Sequence, residues 1–172
     1  WGEDLAVRFM EYDFTLLNLE NLGFHQRHLD GLLTLLARPS GLILVTGPAG
    51  AGKTTTLYAC LTHLNDGSKR ILTIEDPVEL ALPGIRQCAV RPSIRLGFPE
   101  LLRAVLRQAP DVIMVGEIRD PVTAETAVLA ANSGQLVFAT IHAPIAAGAI
   151  NSMLALKANS HFLSTCLLGA LS

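Results

Sequence analysis

Apolar positions recur along this chain with two periods, and the pattern changes character at Gly41. In residues 4–10, Leu5, Val7 and Phe9 alternate with Ala6 and Arg8, which predicts a strand. Residues 11–23 read as a connector, and 28–36 have helical spacing that stops before Pro39. Beyond Gly41, short apolar runs at 42–46, 71–74, 112–115 and 136–141 predict strands. The first, third and fourth are nearly continuous, as expected of strands covered on both faces. Helical patterns at 53–64, 99–108 and 121–132 lie between them. Asn65-Asp66-Gly67 and Ser133-Gly134 supply stops, and Asp120-Pro121 supplies a capping carboxylate before a proline. Residues 146–156 and 162–171 read as two further helices. This alternation predicts an α/β fold in three layers, with a mostly parallel sheet between helices.

In such folds ligands bind at the carboxyl ends of the strands, so the residues just after each strand carry the chemistry. After the first comes Gly47-Pro48-Ala49-Gly50-Ala51-Gly52-Lys53-Thr54. Gly47 and Gly52 frame a turn whose backbone N–H groups can form a concave nest for phosphate, aided by the positive end of the following helix. Lys53 adds a charge for the β/γ-phosphates, and the Thr54 hydroxyl is a ligand for Mg²⁺. After the second comes Glu75-Asp76-Pro77. Glu75 reads as a proton acceptor, a cation ligand or an ordinary turn acid. After the third comes Gly116-Glu117, where the acid reads either as a Mg²⁺ ligand or as a capping or ion-paired group beside Arg119 and Asp120. His142 ends the fourth, as a donor to a γ-phosphate or as a structural histidine. Arg103 and Arg107, four apart on one helix, repel each other unless an anion lies between them; the alternative is a solvated face.

Composition narrows the reading. The chain has 172 residues and a net charge of −2, which gives no support to a general nucleic-acid binder. Half of the residues are hydrophobic and only 16% are charged, a balance that points to buried subunit contacts or to a piece cut from something longer. The start at Trp1 and the apolar pattern near Ser172 point to the second. No run approaches the ~18 apolar residues of a membrane span, and no signal segment opens the chain. Cys60, Cys88 and Cys166 are odd in number and widely spaced, which predicts reduced thiols rather than disulfides or a zinc site.

With these residues in place, the chain resembles the secretion ATPase superfamily, the motors of type II secretion and type IV pilus assembly. Residues 47–58 resemble its Walker A segment, so that Gly47 to Thr55 would hold nucleotide. ILTIEDPVE at 71–79 resembles the Asp box, LRAVLRQAPDVIMVGEIRD at 102–120 the Walker B region, and SGQLVFATIH at 133–142 the His box. The resemblance implies a RecA-like P-loop core over 38–172, preceded by the last strand and linker helix of another domain over 1–37. It implies ATP and Mg²⁺, with Glu75 as the catalytic carboxylate, Glu117 as the Walker B acid and His142 as the His-box histidine. Arg103 and Arg107 would meet phosphate or a neighbouring subunit, and Arg8 matches an arginine from the N-terminal domain. It also implies a cytoplasmic homo-hexamer at the inner membrane, working with platform proteins and without nucleic acid; in the family the region that would follow residue 172 often carries a four-cysteine zinc module. The chain differs from the family pattern at Gln135, where the first histidine of the box is usual, at Ala109 in place of an aspartate, and at Ala143-Pro144-Ile145. Rival readings are a regulatory subunit that binds nucleotide and scarcely turns it over, a pilus-retraction motor, and a nucleic-acid motor of the same fold.

Overall fold

The computed structural model describes residues 14–172. The strand expected at 4–10, and Arg8 with it, lie outside the described residues. Two 3₁₀ turns, Phe14–Leu17 and Leu19–Leu22, lead into helix α1, Gln26–Leu36. There follow β1 (Gly41–Val45), α2 (Lys53–Leu64), β2 (Ile71–Glu75), β3 (Arg86–Ala89), α3 (Phe98–Leu106), β4 (Val112–Val115), α4 (Pro121–Asn132), β5 (Leu136–Thr140), α5 (Ala146–Ala155), α6 (Ser160–Cys166) and β6 (Leu167–Leu171). The strands form one six-stranded sheet in the order β3-β2-β4-β5-β1-β6, and every pairing is parallel.

The sheet separates two cores, and the strands divide their side chains between them with the two-residue period of a pleat. Leu42 and Leu44 of β1, Ile113 and Val115 of β4, and Val137 and Ala139 of β5 face the core covered by α3–α6. Ile43 and Val45, Val112 and Met114, and Leu136 and Phe138 face the other, beneath the 3₁₀ turns, α1 and α2. Both sets are apolar because both faces are covered, which is why the sequence shows continuous runs where alternation might be sought. Cys60, Cys88 and Cys166 are free thiols, as predicted.

The structure differs from the sequence reading at two edges of the sheet. Residues 162–171, expected as one helix, are split: α6 ends at Cys166 and Leu167–Leu171 is a strand beside β1. Leu167 and Ala170 pack toward one core and Leu168 and Leu171 toward the other, with an irregularity of register that places Leu42 opposite Leu167 and Ile43 opposite Gly169. The irregularity breaks the two-residue period, so an apolar run here carries no signal that separates strand from helix. The other edge strand, β3, is short and partly exposed, and its sequence RQCA has neither an apolar run nor clear alternation.

Candidate functional site

The loop after β1 follows from its glycines. Gly47, Gly50 and Gly52 have φ of 134°, 78° and 86°, values that side-chain-bearing residues rarely adopt. Gly52 is the N-cap of α2 and offers no side-chain cap. The opening amides of α2 therefore stay available for a ligand, at the positive end of the helix. Lys53 curls over the loop, where its Nζ donates to the carbonyls of Gly47 at 2.9 Å and Pro48 at 2.8 Å.

At the neighbouring strand ends the backbone packs closely around glycine at position 116, where a side chain would push its neighbours aside by a few tenths of an ångström. A Cβ there would lie 3.0 Å from the Ile74 carbonyl oxygen and 3.4 Å from Glu75 Cα. Gly116 N–H donates to Ile74 O at 2.7 Å, the Thr140 hydroxyl donates to the Gly116 carbonyl, and Ile118 N–H donates to Thr140 O at 2.9 Å. These contacts tie the ends of β2, β4 and β5 and aim Glu117 across them. Glu117 forms an ion pair with Arg119 through Oε2, while its Oε1 lies 2.8 Å from His142 Nε2. That second approach lacks the alignment of a hydrogen bond, so Oε1 is a buried carboxylate oxygen without a hydrogen-bond partner. Its charge, with that of Asp76, raises the Arg119 pKa, chiefly through the hydrogen bond to Glu117.

Glu75, only 3% exposed, is the last residue of β2. Its carboxylate accepts from the Tyr58 hydroxyl, from the Thr73 hydroxyl and from Gln87 Nε2 at 3.1 Å. Burial first, and Glu75 second, push the Tyr58 phenol up from its usual range.

Lys53, Thr54, Glu75, Asp76, Glu117 and Thr140 line one cleft of about 170 Å³. A separate cavity of about 340 Å³ opens beside the loop, bordered by Gly52 and Thr55 and walled by Leu16, Leu22, Phe24 and Leu171. His142, with its side chain 73% exposed, faces Gly47 and Pro48 across an open groove. Arg103 and Arg107 are exposed and do not line the cleft; α3 ends at Leu106, with Arg107 as its C-cap. Mg²⁺ fits the donors present. It takes oxygen ligands and keeps several waters, and the Thr54 hydroxyl and the orphaned Glu117 Oε1 share the cleft. Among the described residues no cluster of three or more His, Cys, Asp or Glu makes an all-protein metal site.

Sequence reasoning passed over Tyr58, Thr73, Gln87 and Thr140. Thr73 was within reach, because residues two apart on a strand share a face with each other. Gln87 was not, because it depends on β3. Arg119 enters as the partner that the ion-paired reading of Glu117 named.

The family described as Type II/IV secretion system protein matches residues 1–172. The chain is 46% identical over 172 residues to the type II secretion system protein E of Dickeya dadantii, covering all of this chain and 34% of that protein. It is 45% identical over 171 residues to the type II secretion system ATPase E of Vibrio cholerae, covering 99% of this chain and 34% of that protein. The chain thus spans about a third of the length of these relatives. Among solved structures it is similar to the pilus retraction motor PilT with bound ADP, with a TM-score of 0.78 and 37% identity over 89% of this chain and 46% of that one. The VirB11 ATPase of the Brucella suis type IV secretion system, in complex with sulphate, gives a TM-score of 0.62 and 25% identity over 91% and 45% of the two chains. No helix among the described residues is long and apolar enough to cross a membrane.

Proposed function

We propose, since the chain belongs to the Type II/IV secretion system protein family, that it is the nucleotide-binding core of a motor subunit that hydrolyses ATP to drive protein secretion or assembly of a type IV pilus or pseudopilus. The observation that carries this reading is the meeting of Lys53, Thr54, Glu75 and Glu117 in one cleft from three different strand ends. The loop amides and the start of α2 hold the phosphates, and Lys53 leaves the loop carbonyls to neutralise them. The apolar cavity beside Thr55 takes the base. Thr54 and Glu117 would hold Mg²⁺, which when bound offsets charge on the phosphates. Glu75 accepts a proton from the attacking water, a role that contributes ~10²–10⁴-fold to rate.

His142 reports the state of the γ-phosphate to the segment after β5. Arg8, Arg103 and Arg107 complete the phosphate environment from another domain or a neighbouring subunit; for Arg103 and Arg107 this fits their absence from the cleft within one chain. The working form in this reading is a homo-hexamer at the cytoplasmic side of the inner membrane, coupled to platform proteins. ADP in the PilT structure supports the nucleotide site, and the secretion-system names of the relatives support a place in such machinery.

Lys53→Ala in the full-length protein tests the site. Loss of a charged hydrogen bond, ~1.5–3 kcal/mol, lowers ATP affinity by roughly tenfold or more. Unchanged affinity in calorimetry on a folded variant removes the assignment. Phosphate release measured beside binding separates a motor from a subunit that only binds.

A further inference from the structure

We infer that Tyr58, Thr73 and Gln87 are positioning residues for hydrolysis, which aim one oxygen lone pair of Glu75 into the cleft. The inference rests on the reading of Glu75 as the proton acceptor. An ionised carboxylate offers about four acceptor positions. Thr73 Oγ1 and Gln87 Nε2 donate to Oε1, and the Tyr58 hydroxyl donates to Oε2. Three positions are taken from three elements, β2, β3 and α2. The remaining one is on Oε2, and Glu75 borders the cleft that holds Lys53 and Thr54. As the water oxygen bonds to the γ-phosphorus, the bond from that phosphorus to the ADP oxygen breaks, and the water proton passes to the free position on Glu75.

Each donor is itself held, so the carboxylate has one orientation. The Tyr58 side chain is fully buried, and its oxygen accepts from Glu79 N–H at 3.3 Å, which commits its single proton to Glu75. The Gln87 amide cannot turn over. Its oxygen accepts from Leu82 N–H at 2.7 Å, and its nitrogen also donates to Leu80 O at 2.9 Å. Thr73 is fully buried and β-branched, hence stiff at χ1. The phenol stays protonated because burial and Glu75 both push its ionisation up. Tyr58 also lies on α2, the helix that the phosphate loop opens. One rigid element therefore carries both the phosphate grip and a donor to the base, a geometry that fixes the distance between them. Catalytic groups need this kind of support to stay within reach of the reacting atoms.

Steady-state hydrolysis by the full-length protein, with ADP calorimetry and thermal melting alongside, tests the assignment. Tyr58→Phe is expected to lower kcat at least tenfold while ADP affinity stays within twofold and the variant remains folded at the assay temperature. Thr73→Val is expected to lose a similar factor, and Thr73→Ser, which restores the hydroxyl, to recover most of it. In a Glu75→Gln background, Tyr58→Phe should lower the residual kcat by less than twofold, because its partner's role is already gone. Wild-type kcat in both Tyr58→Phe and Thr73→Val, with Glu75→Gln inactive, overturns this inference and leaves the Glu75 reading standing. A tenfold loss from Tyr58→Phe that repeats in full in the Glu75→Gln background also overturns it. Wild-type turnover in Glu75→Gln removes the base reading and this inference together. Should Tyr58→Phe fail to fold, the Thr73 pair decides alone.

Discussion

At the scale of single residues, three non-glycine residues among those described have positive φ, and Ala109 is one of them, at 48°. It sits just after α3, where the backbone turns toward β4, and its side chain is exposed. A left-handed backbone costs alanine roughly 1–2 kcal/mol, whereas glycine adopts it freely. Ala109→Gly is therefore expected to stabilise the folded chain by about 0.5–1 kcal/mol, after the greater freedom of glycine in the unfolded chain is deducted. Urea unfolding of the two proteins checks this; a loss of stability would mean that the turn relies on the alanine side chain. An aspartate, the residue that the family resemblance implies at this position, tolerates such a backbone better than alanine does. Gly116 shows the opposite case, a position held by close approach to β2 rather than by its own φ.

At the scale of elements, the strand β6 is the part of the fold that local pattern misread. It is a strand because β1 offers a free edge and because Gly41 lets the start of β6 approach β1 closely. A Cβ on Gly41 would lie 2.5 Å from Leu168 Cγ and 3.0 Å from the Cys166 carbonyl, and Gly41 also has φ of 134°. Gly41→Ala is expected to cost about 2–4 kcal/mol, since it combines overpacking with backbone strain. On Gly169 an added Cβ would meet only the end of the Leu35 side chain, at 2.9 Å, and Gly169→Ala should cost less than half as much. Thermal melting of both variants checks the order; equal losses would mean that β6 is not anchored where β1 begins. The helices were more legible. α4 begins at Pro121 after Asp120, whose carboxylate caps Thr123 N–H at 2.8 Å, as Asp-Pro predicts.

At the scale of the whole molecule, apolar side chains remain exposed on the outer helices: Val122 and Leu129 on α4, Ile150 and Leu154 on α5, and Phe162 on α6. Within one chain the cleft lacks Arg103 and Arg107. The 172-residue chain is therefore expected to bind ADP about as well as ATP and to hydrolyse ATP poorly, because the γ-phosphate site is open to water and its electrostatic contacts are weakened. In the full-length protein, activity per subunit should rise steeply with concentration as subunits assemble. A flat dependence in dilution assays, or a fully active monomeric chain, would exclude shared sites. The glycine-rich loop after β1, the placement of Glu75 and Glu117 at neighbouring strand ends and the parallel sheet were legible in the sequence alone, because strand–loop–helix geometry is local and a strand covered on both faces leaves a continuous apolar run. The edge strands were not, since β3 and β6 exist only through the neighbours they pair with. Nor was the network around Glu75 as a whole: Thr73 shares a strand face with Glu75, but Tyr58 and Gln87 are brought to the carboxylate only by the packing of α2 and β3 against β2, a matter of distance in space that no spacing along the chain encodes.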